Sequence, residues 1–356
     1  MSRDYKAEQI KILKDLEAVR RRPGMYIGDT GPRGLHHLVN EVLDNSIDEV
    51  LSGYCSNIKI IINSDGSITV SDNGRGIPVD EHPEYKKSAL ELVMTMLHAG
   101  GKFDNKIYRV AGGLHGVGIS VVNALSVSLE AIITRDNKIW RQIYSRGKPL
   151  GPVEVIGEAN KEESGTKITF TPDPEIFEST EFDYERIARR ARELAFLNPN
   201  VTIEIEDKRT GKKEIFKYEG GIKEFVKHLN RSREVLFPEP LYIEGEKGDV
   251  IVEVAIQYNK GFIEDIFAFV NNINTREGGT HLSGFKAALT RAINDYAKKE
   301  QNKEINFLGE DVREGLTAII NLKLPNPQFE GQTKTCLLYT SPSPRDLSTS
   351  RMPSSA

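Results

Sequence analysis

His37, Glu41 and Asn45 are spaced four residues apart, so on a helix an imidazole, a carboxylate and a carboxamide stack along one line. That line offers a general base, a group to orient it and an oxygen ligand for a metal ion. Asn is a poor helix former because its side chain competes for backbone hydrogen bonds, so a mid-helix Asn costs stability unless another contact uses it. The plain alternative is a solvated polar face that runs on into Asp48 and Glu49. A second set of residues, Gly112, Gly113, Leu114, His115, Gly116, Val117 and Gly118, stands directly before an apolar run. Glycines there let backbone N–H groups approach a ligand, and a helix N-terminus adds unpaired donors and positive dipole character, which suits a phosphate chain. Lys102 would add a point charge to the same loop. An ordinary glycine-rich loop is the competing reading. Neither the dinucleotide fingerprint nor a P-loop motif occurs in the chain, so any nucleotide site is of another kind. Asp72 ends an apolar β-type run and is followed by Asn73, Gly74, Arg75, Gly76, Ile77 and Pro78. An ionised carboxylate only accepts hydrogen bonds, which fits the exocyclic amino group of adenine. The simpler reading is an Asp-Asn-Gly turn capping its own backbone.

These residues need elements to position them. Leu35, Leu38, Val39, Val42, Leu43, Ile47, Val50 and Leu51 recur at three-to-four spacing, which predicts an amphipathic helix over 34–52. A hairpin is expected from strands 57–63 and 67–71 across Ser64, Asp65 and Gly66. Helices are expected over 88–98, 117–125, 183–197, 221–230 and 280–299, with a glycine-rich loop from 99 to 118. Strands are expected near 127–134, 138–145 and 166–171, and as pairs within 201–218 and 241–258. The pattern reads as α/β, with a boundary near 220 where Glu219, Gly220 and Gly221 interrupt it.

At 356 residues the chain is long enough for two domains. No apolar run reaches membrane-spanning length and the first residues are polar, so neither an anchor nor a secretory signal is expected, and the cytoplasm is the default compartment. Cys55 and Cys336 form neither a metal spacing nor a disulfide framework. A net charge of −4, with one short basic run at Arg20, Arg21 and Arg22, does not suggest a duplex-binding surface in its own right. Composition changes abruptly after Lys334: the peptide from Cys336 to Asp346 resembles a translated adapter used in preparing DNA libraries. Residues 336–356 are therefore expected to be a non-native tail, and the gene product to be longer.

Taken together, the three chemical segments resemble the ATP-binding fold shared by gyrase, the Hsp90 chaperone, histidine kinases and the MutL repair protein. Further motifs narrow the likeness: Arg22 to Gly28, His36-His37 with Glu41 and Asn45, His98 to Phe103, Asn271 to Gly284 with Thr275 to His281, and Gln332-Thr333-Lys334. In that order they resemble the B subunits of type IIA DNA topoisomerases over residues 1 to about 335. The resemblance implies a Bergerat-type (GHKL) ATPase sandwich of mixed sheet and helices over 1–219, with a dimer-exchange arm at 1–16. It implies next a C-terminally truncated ribosomal-protein-S5-like transducer domain over 220–335. It implies ATP and Mg²⁺, with Glu41 as general base, His37 orienting it and Asn45 as the Mg²⁺ ligand. Asp72 would read adenine, with Arg75, Gly76, Ile77 and Thr166 at the pocket and Arg75 paired to Glu49. Lys102, Tyr108 and the backbone from Gly113 through Leu114, His115, Gly116 and Val117 to Gly118 would contact the phosphates. Gln332 and Lys334 would reach the γ-phosphate, and Tyr5 and Ile10 would belong to the exchanged arm. Implied partners are the DNA-cleaving gyrase or topoisomerase IV polypeptide in an A2B2 heterotetramer, duplex DNA through the full enzyme, and a second copy of this chain through ATP-dependent dimerisation, with no membrane. A nucleotide-gated protein clamp of the chaperone or repair type is the rival, and a histidine kinase would need a phosphoacceptor helix upstream.

Overall fold

The computed structural model describes residues 13, 16–103, 108–113, 115–301 and 306–339. Tyr5, Ile10 and nearly all of the expected arm, Leu114, and the tail beyond 339 lie outside the described residues. The chain divides into two compact units that interleave. The first comprises Met1–Phe103, His115–Ala191 and Thr202–Ile215; the second comprises Asp104–Leu114, Arg192–Val201 and Phe216–Ala356. A single boundary near 220 therefore describes the chain only coarsely.

In the first unit α1 (Leu16–Arg21), α2 (Gly24–Ile27) and α3 (Pro32–Leu51) precede the hairpin β1 (Asn57–Ile62) and β2 (Ile68–Asp72). Then come α4 (Ala89–Thr95), α5 (Gly118–Ala124), β3 (Ser126–Arg135), β4 (Lys138–Ser145), β5 (Lys148–Pro149), β6 (Glu154–Glu158) and β7 (Gly165–Pro172). The helix α6 (Tyr184–Leu197) and strands β8 (Thr202–Asp207) and β9 (Lys212–Phe216) follow. The strands form one sheet in the order β5-β4-β3-β7-β2-β1-β8-β9, with β6 on β4; β1 runs parallel to β8 and antiparallel to β2. Alternate residues Ile58, Ile60 and Ile62 of β1 are buried, as a period of two requires.

Pro32 starts α3 at a position whose N–H would be unsatisfied in any case, and the Asp29 carboxylate accepts from Gly31 N–H (3.0 Å) and Gly34 N–H (2.9 Å) at the positive end of the helix. The apolar face from Leu35 to Ile47 is buried. The opposite face is not solvated: Glu41 is 6% and Asp48 1% exposed. That removes the plain alternative for this helix. The helix expected over 88–98 stops at Thr95, capped at its start by Ser88, whose hydroxyl accepts from Glu91 N–H; Met96 is extended and His98 left-handed, so the chain has already turned into the loop.

In the second unit α7 (Gly221–Leu229), β10 (Leu241–Lys247), β11 (Val250–Tyr258), β12 (Asp265–Val270), β13 (Ile273–Asn274), β14 (Gly278–Gly279) and α8 (Thr280–Gln301) are followed by α9 (Gly309–Arg313), β15 (Leu316–Lys323), β16 (Gln328–Phe329) and β17 (Cys336–Tyr339). Strand order is β10-β11-β15-β12-β13, with a small sheet β14-β17-β16. One face of the larger sheet packs against Leu282, Phe285 and Leu289 of α8. The other packs against Ile222, Phe225 and Val226 of α7 and Phe196 and Leu197 at the end of α6. Phe196 is stacked with Tyr218 and Phe225. Residues 336–339, which composition assigns to the tail, form β17, and Leu337 is buried in the core. An apolar Cys-Leu-Leu-Tyr run can complete a sheet whatever its origin.

Candidate active site

The line on α3 is built as spaced. His37 Nε2 lies 3.1 Å from Glu41 Oε1, within ion-pair distance although not aligned as a linear hydrogen bond. Opposite the carboxylate is the first turn of α5. A side chain at Gly118 would put its Cβ 2.1 Å from Glu41 Oε2, so any larger residue there requires the carboxylate to shift. A buried carboxylate beside an imidazole is a candidate general base for water, its reach to the proton set by geometry.

Asn45 Oδ1 accepts a hydrogen bond from the Lys102 ammonium at 2.5 Å, and Asp48 Oδ2 lies 2.6 Å from the same nitrogen. Two oxygens on one helix face therefore converge on one cation, the Lys102 ammonium; they are hard oxygen donors of the kind Mg²⁺ takes, and the ammonium now occupies them. Among the described residues no group of three or more His, Cys, Asp or Glu side chains is arranged to hold a metal. An ion here would take most of its ligands from phosphate and water, as Mg²⁺ commonly does.

Asp72 closes β2 beside β7, opposite Thr166. Its Oδ2 accepts from Ser46 Oγ (2.7 Å), and its Oδ1 accepts from the N–H groups of Gly74 (3.0 Å) and Thr166 (3.3 Å). Among the described residues this leaves Oδ2 one further acceptor direction, enough for one amino N–H. Burial pushes the carboxyl pKa upward, while Ser46, Gly74 and Thr166 pull it back and Glu49 adds to the rise. The expected Arg75–Glu49 pair is present in fork geometry, with Nε to Oε2 at 2.9 Å, Nη2 to Oε1 at 2.8 Å and the guanidinium over the Tyr54 ring. Gly76 and Ile77 continue from it, and Gly76 O accepts from Arg135 Nη1 at 2.9 Å.

Sequence reasoning missed three residues of this surface. Ser46 lies 26 positions from Asp72, and no spacing rule links them. Asp48 stands within a turn of Asn45, a position legible in the sequence, but a charged residue there reads as part of a solvated face. Arg135 lines, with Arg75, Asp136 and Lys161, a cavity of about 410 Å³, and its Nε lies 3.4 Å from Asp136 Oδ2. Of the other expected residues, His115, Gly116, Val117 and Gly118 stand at the start of α5 in the first unit, whereas Tyr108, Gly113, Gln332 and Lys334 belong to the second. Lys334 is 4% exposed and left-handed, in a turn closed by its N–H to Gly331 O at 3.0 Å.

Two family models match the chain: "Histidine kinase-, DNA gyrase B-, and HSP90-like ATPase" over residues 30–176 and "DNA gyrase B" over 221–344. The chain is 59% identical over 337 residues to the DNA gyrase B subunit of Clostridium acetobutylicum, covering 94% of this chain and 53% of that protein. It is 56% identical over 342 residues to the DNA gyrase B subunit of Thermotoga maritima, covering 94% and 54%. It thus spans about half the length of the curated relatives it matches. Among solved structures, the 43K ATPase domain of Thermus thermophilus gyrase B in complex with an aminocoumarin superposes with a TM-score of 0.77 at 44% identity, covering 91% of this chain and 84% of that one. The topoisomerase IV ATP-binding domain of Francisella tularensis, in complex with a small-molecule inhibitor, gives 0.75 at 35%, covering 92% and 87%.

Proposed function

The chain belongs to the DNA gyrase B family of type II topoisomerases, and on that premise we propose that it is the ATP-hydrolysing clamp that couples nucleotide turnover to DNA strand passage. The observation that carries the reading is the buried Glu41 carboxylate paired with the half-buried His37 and set against the backbone of Gly118. Asp72 accepts the adenine amino group in its one remaining acceptor direction. The start of α5 receives the phosphates, and Glu41, oriented by His37, takes the proton of the water that attacks the γ-phosphate. Asn45 would hold a Mg²⁺ ion through its side-chain oxygen, and the ion would supply positive charge for the phosphate oxygens. Lys102, already at Asn45 and Asp48, is assigned to the phosphates, together with Tyr108 and Gly113. Gln332 and Lys334 are assigned to the γ-phosphate, where a cation stabilises developing charge and registers hydrolysis.

The proposed partners are the DNA-cleaving gyrase or topoisomerase IV polypeptide, in an A2B2 assembly, duplex DNA held by the full enzyme, and a second copy of this chain on ATP binding. A cytoplasmic location fits a DNA enzyme; among the described residues no helix is long and apolar enough to cross a membrane. A protein-clamping chaperone or repair ATPase is not favoured, because the relatives and solved structures above belong to topoisomerases. The test is Glu41→Gln in the full chain. Hydrolysis is expected to fall by about 10²- to 10⁴-fold while a non-hydrolysable ATP analogue still binds; unchanged hydrolysis would reject Glu41 as the base.

A further inference from the structure

In the second unit, β12 turns into β13 through Asn271 and Asn272, both with positive φ (49° and 67°). Two consecutive left-handed residues make the tight hairpin turn that suits strand twist, and Asn tolerates that conformation better than most side chains. The turn explains an Asn at 271; it does not explain what its side chain does. Asn271 is 1% exposed. Its Nδ2 donates to Ala111 O (2.7 Å) and to Leu324 O (2.9 Å), and its Oδ1 accepts from Leu324 N–H (2.9 Å). Both amide protons and one carbonyl lone pair are thus spent on backbone from two distant segments. Ala111 lies in the glycine-rich loop, immediately before Gly112, where a Cβ would come within 3.2 Å of Asn271 O. Leu324 is the first residue after β15, at the root of the segment that carries Gln332 and Lys334.

We propose that Asn271 is a positioning residue that fixes the glycine-rich loop and the root of the Lys334 segment to one another, so that the two sets of phosphate-contacting groups order together. This rests on the nucleotide-site reading above. Asn272 supplies a comparison within the same turn, its Nδ2 donating to the Asn198 side chain, Oδ1 at 3.0 Å.

The experiment compares Asn271→Gly and Asn272→Gly in the full chain; glycine keeps the left-handed turn and removes only the carboxamide. The first readout is amide hydrogen exchange without nucleotide. Asn271→Gly is expected to speed exchange in both 108–113 and 331–336 by roughly tenfold, and Asn272→Gly in neither. If only one segment responds, or if Asn272→Gly does the same, the proposal is overturned. The second readout is steady-state hydrolysis. In Asn271→Gly both KM and kcat should worsen, and adding Lys334→Ala should cost less than it does alone, as expected of residues acting as a unit. Altered exchange with wild-type KM and kcat would refute the functional coupling. A wild-type chain that binds no nucleotide would instead sink the nucleotide-site reading, while the exchange data would still decide whether Asn271 joins the two segments.

Discussion

A carboxylate that reads an amino group must be ionised, and Asp72 sits where burial works against ionisation. Its folded pKa is raised, so acid should remove the charge earlier than from an ordinary Asp with a value of 3.8. Nucleotide affinity is therefore predicted to fall on acidification with a midpoint above 3.8, as measured by titration calorimetry across pH. A midpoint at or below that value would mean the Ser46, Gly74 and Thr166 hydrogen bonds dominate. At Gly118 the prediction is steric. Alanine would place its Cβ 2.1 Å from Glu41 Oε2 and push the base out of line. Hydrolysis should fall by more than about tenfold, because small misplacements of reacting groups cost that much, and single-turnover rates would show it. An unchanged rate in Gly118→Ala would show that the carboxylate moves aside freely.

At the scale of elements, α3 and the β1–β2 hairpin were legible because each has one buried face and a clear period, 3.6 or 2. The strands β12 and β15 were not. β15 reads Leu-Thr-Ala-Ile-Ile-Asn-Leu-Lys, buried at every position except the last, because helices cover both faces of its sheet. With no solvent-facing side there is no alternation to find. The site shows the same limit: the i, i+4 line on α3 could be read, whereas the Ser46–Asp72 and Lys102–Asp48 contacts join elements that only folding brings together. Among elements, the start of α8 carries its own pH dependence. Thr275 Oγ1 donates to Ala268 O, so it accepts from His281 Nε2–H at 2.9 Å, and burial lowers the His281 pKa to about 4. The unfolded chain therefore binds the proton more readily from pH 6.5 down to about 4. Stability of this unit should be complete above pH 6.5 and decline as pH falls through that window, with a shallower decline in His281→Gln. Thermal unfolding at a series of pH values checks the sign, and equal slopes in the two proteins would remove His281 as the cause.

For the whole molecule, interleaving matters more than the position of any one boundary. Cutting after residue 219 would separate Phe196 and Leu197 from Phe225 and Val226, and Ala111 from Asn271. A 1–219 fragment is predicted to exchange amide protons faster at 192–197 and 108–113 than the full chain does, with the strands of the first sheet unchanged. Equal protection of those segments would mean that they belong to the first unit. The central claim is a nucleotide site outside the P-loop class with Asp72 as its reader, and the full chain is the proper object for testing it. Calorimetric titration of a non-hydrolysable ATP analogue with Mg²⁺ should give saturable one-to-one binding to the wild type and a loss of at least about thirtyfold in Asp72→Ala, since a buried charged hydrogen-bond partner is removed. Equal affinities in two demonstrably folded proteins, or no binding by the wild type, would contradict the account.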